Sequence, residues 1–129
     1  TVPRLYGVVR PEAVYRRSLD VLRRAAESGR PRFVKSGLMV GLGESREELS
    51  TVMSDLLAAG CRVLTIGQYL RPTRHSLPVV RYVEPAEFDS FAAEGRRLGF
   101  QAGFSGPLIR SSYLAHNLFL ELKDTAGPR

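Results

Sequence analysis

The sequence predicts an α/β fold: a partial parallel sheet, an incomplete barrel or an open layer, with helices packed on it. Three observations carry this. An apolar run, a capped amphipathic helix and a second apolar run succeed one another from Phe33 to Ile66. A strand, helix and strand in that order make a right-handed crossover between parallel strands. After a long loop, a further helix and a short third strand repeat the pattern. The chain has 129 residues, one domain's worth and about half of an eight-unit barrel. Three strands close only part of such a structure, so the sequence predicts that a neighbouring half completes it.

The elements follow in order. Pro11 suits the first position of a helix and Gly29 its left-handed exit. Between them Tyr15, Leu19, Leu22 and Ala26 share one helical face. Phe33 to Val40 reads as a buried strand entering the tight turn Gly41-Leu42-Gly43-Glu44. Ser45 and Glu48 form a capping box, and Leu49, Val52, Met53, Leu56 and Leu57 make the apolar face of the next helix, which Gly60 ends. Cys61 to Ile66 is the second strand. Gly67 to Glu84 has two prolines and no period, and loops of this length in a compact domain are usually functional or mobile. Pro85 opens a third helix with Phe88, Phe91, Ala92 and Leu98 inward and Gly99 as its stop. Phe100 to Ser105 is the third strand, broken by Gly106-Pro107, and a short helical tail follows around Leu118 to Leu122.

Composition narrows the function. Apolar residues make up 43% and charged residues 25%, which is globular rather than disordered. No apolar run reaches the roughly 18 residues of a membrane span. The opening Thr1-Val2-Pro3-Arg4-Leu5-Tyr6 has no signal-peptide core and does not begin with Met, so it reads as a cut. The single cysteine, Cys61, excludes an internal disulfide and fits a reducing cytoplasm. It also excludes a self-contained zinc ribbon or an all-cysteine iron–sulfur site. A net charge of +6 reads as a soluble basic surface, or as a surface for an acidic partner, an anionic ligand or nucleic acid.

Ligands of parallel β/α folds bind at the C-terminal strand ends. Three polar loops are expected there: Gly41 to Glu44, Gln68 to His75, and Gly106 to Tyr113. The glycines of the first allow close approach to backbone. Glu44 disfavours a phosphate and suits a cation, an amine or sugar hydroxyls; the alternative is a plain strand-to-helix turn. Lys35 either pairs with a ligand carboxylate or is simply solvated. Gln68, Tyr69, Arg71, Arg74, His75, Arg81 and Tyr82 combine guanidinium and phenol groups that either grip an anionic or aromatic group or form a basic surface loop. Ser111 and Ser112 lack the surroundings of a hydrolase nucleophile and read as turn residues. His75 and His116 have no metal-ligand spacing. Cys61 reads as a small core residue.

Taken together and in order, these motifs resemble lipoyl synthase. The resemblance is carried by Lys35 to Glu44, by Thr65-Ile66-Gly67-Gln68-Tyr69-Leu70-Arg71-Pro72 with Arg74-His75, and by Gly106-Pro107 with Arg110-Ser111-Ser112-Tyr113. The opening residues, Val9-Arg10-Pro11 and Tyr15 with Ser18-Leu19 also match, so residues 1 to about 117 are covered. The resemblance implies a partial (β/α) barrel of the radical S-adenosylmethionine type, with its C-terminal strands and extension. Residues 1–105 would form the barrel part and 106–129 the closing motif and tail. The family inserts two sulfur atoms into an octanoyl chain carried on a lysine of a lipoyl carrier domain. It uses S-adenosylmethionine and two 4Fe–4S clusters, each held by a cysteine triad.

Those triads have no counterpart here. The resemblance therefore implies the C-terminal half of the enzyme, dependent on a missing N-terminal half and inactive alone. Gly37 to Glu44 matches the family's Gly-x-Ile-x-Gly-x-x-Glu strand, with Met39 in the Ile position, and would support S-adenosylmethionine through Gly37, Gly41 and Glu44. Lys35 and Ser36 would lie near its polar groups, and Gln68, Tyr69 and Arg71 would line the same pocket. Ser111, or alternatively Ser112, would give an oxygen ligand to the auxiliary cluster; a weak ligand suits a cluster that must release iron. Arg110 would anchor that serine as part of the catalytic machinery. The expected partners are the octanoylated carrier domain and the other half of the enzyme, with no nucleic acid and no membrane. A second reading is a non-catalytic α/β module that docks a partner subunit or an acidic carrier protein.

Overall fold

A computed structural model describes residues 1–9, 13–29 and 33–110. Pro11, His116, the tail around 118–122 and the motif residues Ser111, Ser112 and Tyr113 lie outside the described residues. A single turn, Pro3–Leu5, leads into α1 (Tyr6–Val9) and α2 (Tyr15–Ser28). Then come β1 (Lys35–Val40), α3 (Arg46–Ala58), β2 (Val63–Gln68), α4 (Pro85–Leu98) and β3 (Ala102–Gly106). No helix among the described residues is long and apolar enough to cross a membrane.

The strands are parallel in the order β1-β2-β3. Both crossovers step in the same direction, so right-handed connections place α3 and α4 on the same face. The packing agrees. Leu38, Val40, Leu64 and Ile66 point to one side of the sheet and join Leu19, Leu49, Val52, Met53, Leu56, Phe88 and Phe91 in the main core. On the other side Val63 packs with Phe33, Ala102 and Phe104. Strand alternation and register then place Lys35, Gly37, Met39, Thr65 and Gly67 on this second face. The architecture is thus α/β with a three-stranded parallel sheet, as the sequence predicts.

The strand limits differ from the sequence expectation for a definite reason. The Cys61 N–H donates to the Leu56 carbonyl at 2.9 Å and closes α3. Cys61 is therefore helix exit, and β2 runs from Val63 to Gln68. Likewise the Phe100 N–H donates to Gly95 at 3.1 Å and closes α4, so β3 starts at Ala102. Phe100 fills the core position expected of Leu98, which is 38% exposed. The capping box of α3 is present: Ser45 Oγ accepts from the Glu48 N–H at 3.1 Å, and Glu48 accepts from the Ser45 N–H at 3.0 Å.

A buried acid that the hydrophobic pattern does not reveal ties α3 to α4. Glu94 is 8% exposed. Ser50 Oγ donates to it at 2.6 Å, and the Arg46 guanidinium lies 3.3 Å away. Arg46 also covers the Phe91 ring, 4.7 Å from its centroid.

Candidate functional site at the strand ends

The turn after β1 is closed by its own acid. Glu44 accepts hydrogen bonds from the N–H groups of Gly41, Leu42 and Gly43 at 2.9 to 3.2 Å. The expectation that Glu44 offers its carboxylate to a cation or hydroxyl needs correction: the carboxylate turns inward to satisfy a nest of backbone donors. The carbonyls are committed too. Gly41 accepts from the Val80 N–H at 2.8 Å, and Gly43 accepts from Arg4 Nη2 at 2.8 Å. What the turn presents outward is a rigid wall of backbone and glycine.

Gln68 ends β2 and is 3% exposed. Its amide nitrogen donates to the carbonyls of Tyr69 at 3.0 Å and Arg81 at 3.1 Å. Its oxygen accepts from the Val83 N–H at 2.8 Å. One side chain thus fastens both ends of the long loop between β2 and α4. Gly41 must be glycine for the same reason. Its φ is +96°, and a Cβ there would fall on the Gln68 amide and the Arg81 carbonyl.

The loop holds itself together beyond that clamp. The Tyr69 hydroxyl donates to the Leu77 carbonyl at 2.7 Å. Arg71 donates to the carbonyls of Ser76 and Arg74. Arg81 forks onto Glu87 at 2.7 and 2.8 Å. That pair holds the Glu87 carboxyl below the usual carboxylate range, chiefly through the hydrogen bonds from Arg81.

The segment after β3 turns back over β2. A Cβ on Gly67 would fall on the Ile109 carbonyl oxygen and lie 3.0 Å from Arg110 Nη1. Arg110 Nη1 in turn donates to that carbonyl at 2.7 Å. Gly67 is therefore the gap that lets residues 109 and 110 rest on the strand end. Gly41, Glu44, Gln68, Tyr69 and Arg110 accordingly gather around the ends of β1 and β2.

Lys35 and Ser36 stand elsewhere. They open β1, and five strand steps separate Lys35 from Val40, about 16 Å. Ser36 and Gly37 also diverge, as neighbours in a strand do. Ser36 lines a cleft of about 280 Å³ on the helix side, with Tyr6, Tyr15, Ser18 and Leu38. There the Tyr15 hydroxyl donates to Asp55 at 2.7 Å. Burial, then the hydrogen bond to Asp55, pushes the phenol well above its ordinary value.

Arg4 and Glu48 are the site-supporting pair that sequence spacing does not reveal. The two residues lie 44 positions apart, and no local pattern announces such a contact.

Metal and cofactor fit can be read from these donors. No group of three or more His, Cys, Asp or Glu among the described residues is arranged to hold a metal ion. Cys61 is buried, and its thiol donates to the Val63 carbonyl at 3.2 Å. Burial pushes the thiol up to about 11, which opposes a thiolate ligand. The described residues therefore do not fit an iron–sulfur cluster. For S-adenosylmethionine they fit as a wall rather than as hydrogen-bond partners, because the polar groups of Glu44 and Gln68 are already engaged.

A singly wound parallel sheet with its polar loops packed at the C-terminal strand ends defines a β/α protein of the kind that carries its ligand site there. Comparison with known proteins narrows this class. No protein-family profile matches the chain. The chain is 54% identical over 119 residues to a lipoyl synthase of Acidothermus cellulolyticus, covering 92% of this chain and 36% of that protein. It is 56% identical over 115 residues to that of Syntrophotalea carbinolica, covering 89% and 37%. It is 52% identical over 123 residues to that of Acidithiobacillus ferrooxidans, covering 95% and 38%. The chain belongs to the lipoyl synthase family and matches the C-terminal region of its members. It spans a little over a third of the length of these relatives.

Proposed function

We propose that this chain is the C-terminal part of a lipoyl synthase, an enzyme that inserts two sulfur atoms into a protein-bound octanoyl chain to form the lipoyl group. The observation that carries the reading is the match to lipoyl synthases along about nine-tenths of the chain. The geometry supports it, since Gly41 and Glu44, Gln68 and Tyr69, and Arg110, one part of each matching segment, lie around the ends of β1 and β2. In the whole enzyme the sheet continues into a (β/α) barrel, and Gly37 and Met39 line its inner face. The reading as a non-catalytic docking module is not favoured, because the relatives named above are enzymes.

S-adenosylmethionine, when bound, supplies the chemistry that activates the octanoyl carbon atoms. The residues of this chain shape its berth. Glu44 holds the glycine turn, Gln68 fixes Tyr69 and the start of the long loop, and Arg71 rigidifies that loop from within. Lys35 and Ser36, at the far end of β1, take no part in this berth. Arg110 is seated over Gly67 at the end of β2. Ser111, or alternatively Ser112, would supply the oxygen ligand of the auxiliary cluster. The remaining ligands of both clusters come from other parts of the protein, and its substrate partner is an octanoylated carrier domain. A reducing cytoplasm suits both the clusters and a chain with one thiol.

The test is to express the intact gene product, reconstitute it with iron and sulfide, and supply an octanoyl-lysine peptide with S-adenosylmethionine and a reductant. Mass spectrometry should show the lipoyl product. Ser111→Ala should abolish it and alter the cluster spectrum. Product formation unchanged in both Ser111→Ala and Ser112→Ala removes the ligand assignment. No product from the wild-type protein removes the enzyme reading.

A further inference from the structure

Beyond Tyr69 and Arg71, which serve the berth, the loop between β2 and α4 runs outward with exposed side chains at residues 72–75. Residues 69–83 contain Arg71, Arg74, His75 and Arg81 and no Asp or Glu. Glu87 neutralises Arg81. Arg71 faces only carbonyl oxygens, which leave its charge unbalanced. The Arg74 guanidinium makes no hydrogen bond or ion pair among the described residues. The loop therefore carries net positive charge at its outer edge.

Apolar side chains stand beside these charges. Leu70, Val80 and Tyr82 are 44%, 61% and 70% exposed. The Tyr69 and Arg81 carbonyls share the Gln68 amide nitrogen, so the two limbs of the loop run side by side there. Leu70 follows one of these pinned carbonyls, and Val80 and Tyr82 flank the other. Single exposed hydrophobics need no explanation, but three on one loop together with arginine and tyrosine have the composition of a protein interface.

We propose that residues 70–82 form a docking surface for an acidic protein domain. Its carboxylates meet Arg74 in the positive field that Arg71 reinforces, and an apolar centre covers Leu70, Val80 and Tyr82. The proposal rests on the enzyme reading above, which makes the partner the octanoyl-bearing carrier domain. The loop is anchored at Gln68, so a domain seated on it stands beside the strand ends where its acyl-lysine reacts. Nucleic acid fits less well, because single strands need aromatic faces in series and this loop offers only His75 and Tyr82, seven positions apart.

The test uses the intact gene product and two substrates, the octanoylated carrier domain and a short octanoyl-lysine peptide that cannot reach the loop. Arg74→Glu and Tyr82→Ser should each raise KM for the carrier about tenfold and leave turnover of the peptide within about twofold. Unchanged carrier kinetics in both variants overturns the docking surface and leaves the enzyme reading intact. Equal losses on both substrates also overturn it, since the residues then serve folding or chemistry. No wild-type turnover of either substrate overturns the enzyme reading, and the proposal with it. Binding of a short single-stranded RNA that Arg74→Glu abolishes, with carrier kinetics unaffected, assigns the loop to nucleic acid and overturns the proposal.

Discussion

Arg4 grips Glu48 through two parallel hydrogen bonds, each 2.9 Å long, and reaches on to the Gly43 carbonyl. One guanidinium thereby joins the start of the chain, the cap of α3 and the glycine turn. The hydrogen bond from Arg4, followed by that from the Ser45 N–H, holds the Glu48 carboxyl down at about 2. The sign of its linkage follows. A carboxyl with a lowered folded-state pKa stabilises fully above its unfolded value, about 4.3, and loses that contribution as pH falls toward about 2. Glu48→Gln should therefore melt below wild type at neutral pH, and the gap should close across that acidic window. Melting curves at low ionic strength check this, because the pair is solvent-exposed and screened by salt. A gap independent of pH would refute it.

Gly41→Ala should be among the most damaging small substitutions at the strand ends. The added methyl meets the Gln68 amide and the Arg81 carbonyl, at a φ of +96°. The expected loss is about 2 kcal/mol or more, measured by urea denaturation. Gly7→Ala serves as control, since a Cβ there meets nothing within 4 Å.

Gln68→Leu keeps volume but removes three hydrogen bonds. The buried Val83 N–H and two carbonyls lose their partner, at a cost of about 2 kcal/mol or more. Limited proteolysis should then cut within residues 69–84 faster than in wild type. An unchanged cleavage rate would show that the inner bonds of Tyr69 and Arg71 suffice to hold the loop.

Cys61 should behave as a core residue. Iodoacetamide at neutral pH should label it slowly in the native protein and quickly after unfolding, because the thiol is buried and pushed up to about 11. Cys61→Ala should leave the iron content of the reconstituted protein unchanged. Loss of iron would make this cysteine a cluster ligand after all.

Much of this molecule is legible in its sequence, and the remainder is hidden for physical reasons. The capping box at Ser45 and Glu48 could be read residue by residue, since it depends on local spacing alone. The strand-helix-strand order gave the parallel sheet. Strand limits were two residues off at Cys61 and Phe100, because helix-closing bonds claim those N–H groups and hydropathy cannot show it. The inward turn of Glu44 was equally invisible: residue type announces a carboxylate, not which donors it faces. Lys35 and Ser36 stood beside Gly37 in the motif, yet strand geometry carries them away from the turn and, for Ser36, to the opposite face. Arg4 is the clearest omission, since only the folded chain brings it to Glu48.

The Gln68 clamp has a mechanical consequence. Because both limbs of the loop are pinned at one amide and Val80 is held to the Gly41 carbonyl, the base of the loop is fixed to the ends of β1 and β2. The tip is a lever on a fixed bearing, free to be reshaped for whatever it touches while the bearing stays the same.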